Sequence, residues 1–177
     1  MTSIAEGAVT FTFQNSWTAL QFDRIGYYRK LTGLGGSNKA VDIAAFDPDS
    51  GNLWLIEVKD YRTHPREKQQ DIVDELAQKV RDSLAVLIIL RVRGGVDYPK
   101  MMHSILSGLN SVRIVLHVEQ RAVPGKLHPY VVNPKTTYDL LRRALKRVDN
   151  TVQAASISCP QINRRSGLPW AVALSGP

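Results

Sequence analysis

Two apolar runs separated by a turn decide the fold: Val41-Asp-Ile-Ala-Ala-Phe46 and Leu53-Trp-Leu-Ile-Glu-Val-Lys59. Both runs contain the branched and aromatic residues that favour β-strands. The residues between them, Asp47-Pro-Asp-Ser-Gly-Asn52, are all common in turns. A strand, a short turn and a second strand predict an antiparallel hairpin over residues 41–59.

The charged residues of this hairpin fall at its open end. Asp42 is near the start of the first strand, and Glu57 and Lys59 are near the end of the second. Residues two apart in a strand project from the same face, so Glu57 and Lys59 point the same way. Antiparallel pairing brings Asp42 opposite them. The sequence therefore predicts two carboxylates and one ammonium at one edge of a sheet.

This combination of groups suits a hard divalent cation, Mg²⁺ or Mn²⁺, because such ions prefer oxygen ligands. Asp42 and Glu57 are the predicted metal ligands, and the backbone carbonyl of Val58 is a third ligand within reach. Lys59 is placed to orient or deprotonate a water near the metal, or to stabilise charge on a pentavalent phosphate.

The patterns around the hairpin predict an α/β domain with a central mixed β-sheet flanked by helices. Apolar residues recur at helical spacing over residues 17–31 and again over residues 67–90. Residues 111–118 have the strongest strand pattern in the chain, and residues 138–148 predict a basic helix.

The last part of the chain gives a weaker pattern. Residues 150–177 have no clear period and contain Pro160, Gly167 and Pro169. We expect them to form an irregular tail after a domain that spans residues 1–149.

The order of these elements, and the spacing of Asp42 from Glu57-Val58-Lys59, resemble the PD-(D/E)xK nuclease superfamily, also called restriction-endonuclease-like. The resemblance spans residues 11–120. Members are usually metal-dependent phosphodiesterases that act on DNA and sometimes on RNA. The resemblance implies that Asp42 and Glu57 bind the metal, that Val58 lends its carbonyl and that Lys59 is the catalytic lysine.

A glutamine is a further catalytic candidate. Some relatives carry one about ten residues after the lysine, and Gln69 matches that position, with Gln70 as the alternative. On a helical wheel Gln69 falls within the apolar stripe of residues 67–90, where it faces the sheet edge.

The sequence also departs from the family pattern. Val41 stands where the family name has proline. The first predicted helix has no glutamate, and Asp23 is its only acidic residue. This leaves open a one-metal site, or a catalytically inactive module of the same fold that binds nucleic acid or serves in assembly.

The charge distribution points to a polyanionic partner. The formal net charge is +7, and residues 1–120 contain equal numbers of acidic and basic residues, so the excess lies in residues 121–177. A basic surface attracts nucleic acid, although a solvated helix that only aids solubility has the same composition. The predicted nucleic-acid-binding residues are Lys39, Arg142, Arg143, Lys146 and Arg147.

The remaining expectations concern partners and compartment. We expect DNA more than RNA as the partner, and a homodimer or larger assembly, because the chain is small for a nuclease. We expect no membrane span, since the apolar run 84–90 is far below the ~20 residues that a span needs. One cysteine, Cys159, and an N-terminus unlike a secretory signal favour the cytoplasm.

Overall fold

The computed structural model describes residues 1–26, 39–64, 66, 71–93, 105–126, 129–163 and 167–175. Its strands are β1 (Thr2–Glu6), β2 (Val9–Phe13), β3 (Thr18–Gln21), β4 (Ile43–Asp47), β5 (Asn52–Asp60), β6 (Ser111–Glu119), β7 (Gln153–Ala155) and β8 (Ala171–Leu174). Its main helices are α1 (Ile72–Arg93) and α2 (Thr137–Leu145), with 3-10 helices at Phe22–Arg24 and Pro160–Ile162.

A mixed five-stranded sheet forms the centre of the fold, in the order β3-β4-β5-β6-β7. The first three strands pair antiparallel, which confirms the predicted hairpin of β4 and β5. The last three pair parallel, because α1 lies between β5 and β6 in the chain and α2 lies between β6 and β7. The α/β class with a central mixed sheet and flanking helices is therefore confirmed.

The helices cover one face of this sheet. Strand alternation directs Leu55 and Leu116 to that face, where they form one core with Leu76 of α1 and Leu141 of α2. The apolar stripe predicted within residues 67–90 is thus confirmed as the buried side of α1. No helix within the described part of the chain is long and apolar enough to cross a membrane.

A second, three-stranded sheet covers the opposite face, in the order β1-β2-β8. Phe11 of β2 lies in one buried cluster with Ile43, Ile56 and Val115 of the central sheet. Trp170, just before β8, belongs to the same cluster. The hairpin that carries Asp42 and Glu57 is therefore packed on both faces.

The helix predicted over residues 17–31 is wrong where the structure describes it. Residues 18–21 form β3, which pairs with β4, and a 3-10 helix follows. Tertiary packing overrides the local pattern: Trp17 stacks on Phe13, with ring centroids 5.8 Å apart, and both belong to the second core. Residues 27–31 lie outside the described ranges.

The irregular tail predicted over residues 150–177 is also wrong. β7 joins the central sheet beside β6, and β8 pairs antiparallel with β2. Cys159 and Ile162, between these strands, are fully buried. Strands of three or four residues are too short to produce a visible period, so composition alone suggested an irregular segment.

Candidate functional site

The hairpin of β4 and β5 places Asp42 beside Glu57. Ile43 pairs with Ile56 at the end of the ladder, so Asp42 and Glu57 occupy the next position outward. Asp42 Oδ2 accepts the backbone N–H of Val58 at 2.7 Å, which fixes the carboxylate against the second strand. Ile43 and Ile56 face the three-stranded sheet, and by alternation Asp42 and Glu57 face α1.

Lys79 of α1 joins the two carboxylates. Its Nζ lies 3.1 Å from Asp42 Oδ1 and 2.6 Å from Glu57 Oε1. It also donates to Glu57 Oε2 at 2.8 Å. The Lys79 side chain is 12% exposed and that of Glu57 is 1% exposed. One ammonium thus bridges both carboxylates in a site that is nearly closed to water.

Lys59 approaches Glu57 from the neighbouring position of β5. Its Nζ lies 2.6 Å from Glu57 Oε1 and 3.7 Å from Oε1 of Glu75, a buried residue of α1. Arg66 holds the other oxygen of Glu75, with Nη2 2.7 Å from Oε2. Acidic and basic groups therefore alternate from Asp42 to Arg66.

Burial dominates the electrostatics of Glu57. Burial and the negative charge of Asp42 raise the pKa of Glu57 to about 7, although Lys79 and Lys59 act in the opposite direction. Burial by itself lowers the pKa of Lys59, since it disfavours the charged ammonium. The negative charges of Glu57, Asp42 and Glu75 outweigh this effect and raise the pKa of Lys59 above its ordinary value. Lys59 is therefore a cation that donates hydrogen bonds, and a positive charge added beside Glu57 favours the ionised form of Glu57.

Two further carboxyl groups lie within electrostatic reach of Asp42. Burial, and then the charge of Asp42, raise the pKa values of both Glu6 and Asp23. Glu6 accepts hydrogen bonds from Gln21 and Arg24. Asp23 Oδ1 is buried without a hydrogen-bond partner among the described residues. Asp23 lies in the 3-10 helix after β3, so the error in the first predicted helix concealed this proximity.

The structure brings together three of the predicted catalytic residues, Asp42, Glu57 and Lys59, on one face of the hairpin. The carbonyl of Val58 projects toward the β4 side, because N–H and C=O of a strand residue point to the same neighbour and its N–H reaches Asp42. Gln69 and its alternative Gln70 lie outside the described residues.

Three charged residues of the site were not predicted from the sequence: Lys79, Glu75 and Arg66. A signal was present in α1: Glu75, Lys79 and Ser83 repeat every four residues beside the apolar stripe. Such a line of polar residues next to buried ones faces the boundary between core and site. Glu75 and Ser83 are buried, which agrees with that position.

The predicted nucleic-acid-binding residues fall in two places. The backbone N–H of Lys39, just before β4, donates to Asp82 of α1 at 3.1 Å. The basic helix predicted over residues 138–148 ends at Leu145, so Arg142 and Arg143 lie within it and Lys146 and Arg147 lie in the turn that follows. All four basic residues are exposed. Leu141 and Leu145 anchor that helix to the core, so its basic side faces solvent.

The metal donors offered by the site are few. Within the described residues, no group of three or more His, Cys, Asp or Glu side chains is arranged to hold a metal ion. The candidate ligands are therefore the carboxylates of Asp42 and Glu57 with the carbonyl of Val58.

Comparisons with known proteins leave the family open. No family model matches the chain, and no solved structure matches it. The chain is 27% identical over 158 residues to a cysteine–tRNA ligase of Neisseria meningitidis serogroup A. The match covers 73% of this chain and 23% of the ligase, so the chain spans about a quarter of that relative's length.

Proposed function

We propose that the protein is a divalent-metal-dependent nuclease that hydrolyses phosphodiester bonds in nucleic acid. One observation carries the proposal: two buried carboxylates, Asp42 and Glu57, converge on a single positive charge, with Lys59 beside them. The resemblance to PD-(D/E)xK nucleases rests on the same three residues.

The donor set fits Mg²⁺ or Mn²⁺. Two carboxylates and a backbone carbonyl are hard oxygen ligands, and magnesium is commonly held by one or two carboxylates with waters and substrate phosphate completing the shell. The bridging ammonium of Lys79 supports the presence of a cation-selective position between Asp42 and Glu57. Burial and the negative charge of Asp42 raise the pKa of Glu57, so a cation bound beside it would favour its ionised form.

The chain's own groups divide the work of hydrolysis. Asp42 and Glu57 would hold a divalent ion, whose chemistry would be Lewis-acid polarisation of the phosphate and a lowered pKa of a bound water. Lys59 stays protonated, because its pKa is raised, and so stabilises negative charge that develops on the phosphate rather than acting as a base. Glu75 and Arg66 position Lys59 from the helix side.

The charge of the protein supports a polyanionic substrate. The exposed basic residues of α2 and the net charge of +7 favour a polyanion. DNA is the first substrate to test, in keeping with the resemblance. The partial match to a cysteine–tRNA ligase adds tRNA as a second substrate.

A direct test is incubation of plasmid DNA, single-stranded DNA and tRNA with the protein and Mg²⁺ or Mn²⁺. We expect the wild type to cut at least one substrate, and Asp42→Asn and Lys59→Met to lower the rate by about 100-fold or more. Asp49→Asn and Lys126→Met are matched controls, because both residues are exposed and Asp49 lies in the turn at the opposite end of the hairpin from Asp42. The proposal fails if folded wild type cuts none of these substrates, or if cutting survives in both site variants.

A second candidate function is a nucleic-acid-binding module without turnover. The match to part of a tRNA ligase and the exposed basic side of α2 favour it. In that case, binding of tRNA or DNA falls steeply with salt while no variant at Asp42 or Lys59 changes it. The same samples distinguish the two functions, since only the nuclease produces metal-dependent fragments.

A further inference from the structure

Lys79 bridges the two carboxylates that would hold a divalent ion in the proposed function. Its ammonium contacts Asp42 Oδ1 and both oxygens of Glu57, at distances from 2.6 to 3.1 Å. A magnesium ion bound to the same oxygens would lie about 2.0–2.1 Å from them, within the space that the ammonium fills. The ammonium and the metal therefore compete for one place.

The net charge of the cluster also indicates that an ammonium and a metal ion exclude each other. Asp42, Glu57, Lys59 and Lys79 together carry no net charge, and Glu75 is balanced by Arg66. A divalent ion added to this nearly closed cluster would leave an excess of two positive charges, which is strongly unfavourable in a buried site. One of the two ammonium groups has to leave.

The contacts identify Lys79 as the group that moves. Lys59 has a second acidic neighbour, Glu75, which retains it near the site. Among the described residues, the ion-pair partners of Lys79 are Asp42 and Glu57, so a metal on those two carboxylates removes both attractions at once. The flexible stem of a lysine permits the displacement without movement of α1.

We propose that Lys79 is a built-in counter-ion that holds Asp42 and Glu57 together until a divalent cation displaces its ammonium toward the substrate phosphate. This inference rests on the proposed function, because it takes the same two carboxylates as metal ligands. Lys79 is then a positioning residue that sets the affinity of the site for metal and supplies a second cation once metal is bound.

Metal affinity tests this role without any catalytic assay. Lys79→Met removes the charge and keeps the length of the side chain, so we expect it to bind Mn²⁺ about tenfold tighter than wild type by titration calorimetry. The metal-free variant melts at a lower temperature, because two buried carboxylates lose their shared partner. Lys79→Arg retains the charge and is expected to bind no tighter than wild type.

Arg81→Met is the matched control for charge. Arg81 lies on the same helix, its side chain is 73% exposed and it pairs with Asp82. We expect its Mn²⁺ affinity to equal that of wild type. Equal or weaker binding by Lys79→Met than by wild type overturns the role of Lys79 and leaves the metal site standing. No binding by any form removes the metal site, and with it both this inference and the proposed function.

A second measurement uses wild type alone and does not depend on the folding of a variant. Reductive methylation followed by peptide mass mapping reports the accessibility of each lysine amine. We expect Mg²⁺ to increase methylation of Lys79 several-fold, while the exposed Lys126 is unchanged. Unchanged protection of Lys79 at a metal concentration that saturates the site contradicts the displacement.

Discussion

Two buried glutamates show, at the scale of single residues, how the surroundings set the state of a side chain. Glu57 is 1% exposed and Glu119 is fully buried. Burial and a neighbouring carboxylate raise the pKa of Glu57 to about 7. Burial also disfavours ionised Glu119, but hydrogen bonds from His117, Ile157 and Ser158 outweigh it and lower its pKa to about 2. An added cation would favour the ionised form of Glu57, whereas Glu119 is ionised at neutral pH through its hydrogen bonds.

The ionised Glu119 anchors the segment between β7 and β8. Its Oε1 accepts the backbone N–H of Ile157 at 2.8 Å, and its Oε2 accepts the backbone N–H and the hydroxyl of Ser158. His117 Nε2 lies 2.7 Å from Oε1 and donates to it, because a carboxylate only accepts. These donors tie residues 157–158 to β6.

We predict that Glu119→Gln lowers the free energy of unfolding by about 2–4 kcal/mol at neutral pH, because charge-assisted hydrogen bonds are lost. A folded-state pKa below the ordinary 4.5 stabilises the protein above that value, and the benefit disappears as the pH falls toward 2. The difference in the free energy of unfolding between wild type and Glu119→Gln should therefore shrink below about pH 5. Urea unfolding of both proteins across this range measures it, and a difference that stays constant contradicts the assignment.

The predictability of the site follows from how far apart its residues lie in the chain. Asp42, Glu57 and Lys59 belong to one hairpin, and alternation with a short turn is enough to bring them together. Lys79 lies 22 residues beyond Glu57, on a helix whose rotation is set by packing. The four-residue spacing of Glu75, Lys79 and Ser83 is visible in the sequence, but the direction in which that part of α1 faces is not.

At the scale of elements, α1 acts as a clamp on the segment that carries Asp42. Ser83 Oγ accepts the backbone N–H of Val41 at 3.1 Å, and Asp82 accepts that of Lys39 at the same distance. Lys79 holds Asp42 itself one turn earlier. The start of β4 thus receives from the helix the hydrogen bonds that a strand neighbour would supply.

We predict that Ser83→Ala destabilises the fold by about 1–3 kcal/mol, because the buried N–H of Val41 loses its acceptor. Ser3→Ala is the control, since Ser3 is exposed and its hydroxyl contacts that of Thr12, itself partly exposed, among the residues that the structure describes. Chemical denaturation of the two variants gives the comparison. Equal stability of both variants would show that the contact from helix to strand contributes nothing.

The exposed basic side of α2 gives a prediction about binding. Each lysine or arginine that contacts a phosphate contributes about 0.9 to the slope of log K against log salt on duplex DNA. Replacement of Arg142, Arg143, Lys146 and Arg147 by alanine should therefore reduce that slope by up to about 3–4 units. Arg91→Ala, an exposed position on α1, should leave it unchanged. Fluorescence anisotropy at several salt concentrations measures the slopes, and an unchanged slope in the fourfold variant places the nucleic acid elsewhere.

Long elements were predictable and short ones were not. α1 has 22 residues, so its apolar period repeats many times and identifies a helix. β3 has four residues and β7 has three, which is less than any period needs. Such short strands exist because β4 and β6 offer unpaired edges, a condition that only the assembled sheet creates.

At the scale of the whole molecule, the three-stranded sheet joins the two ends of the described chain. β1 and β2 come from the first residues and β8 from residues 171–174, so no local pattern indicates their pairing. Five aromatic residues lie in the core between this sheet and the central one: Phe11, Phe13, Trp17, Trp54 and Trp170. The ring of Trp170 contacts three of the others, with ring centroids 5.1 Å from Trp54, 5.6 Å from Phe13 and 6.1 Å from Trp17.

We predict that Trp170→Ala lowers the free energy of unfolding by about 3–5 kcal/mol, as expected for a large buried aromatic residue. Trp170→Phe should lower the free energy of unfolding by less, because it keeps an aromatic ring. The indole Nε1 that it removes has no hydrogen-bond partner among the described residues. An irregular tail would instead make both substitutions nearly neutral, and urea unfolding distinguishes the outcomes. The effect should extend to the candidate site, since Ile43 and Ile56 pack in the same cluster directly beside Asp42 and Glu57. Mn²⁺ affinity of Trp170→Ala should therefore be lost together with tertiary structure as urea is added, at a lower concentration than in wild type.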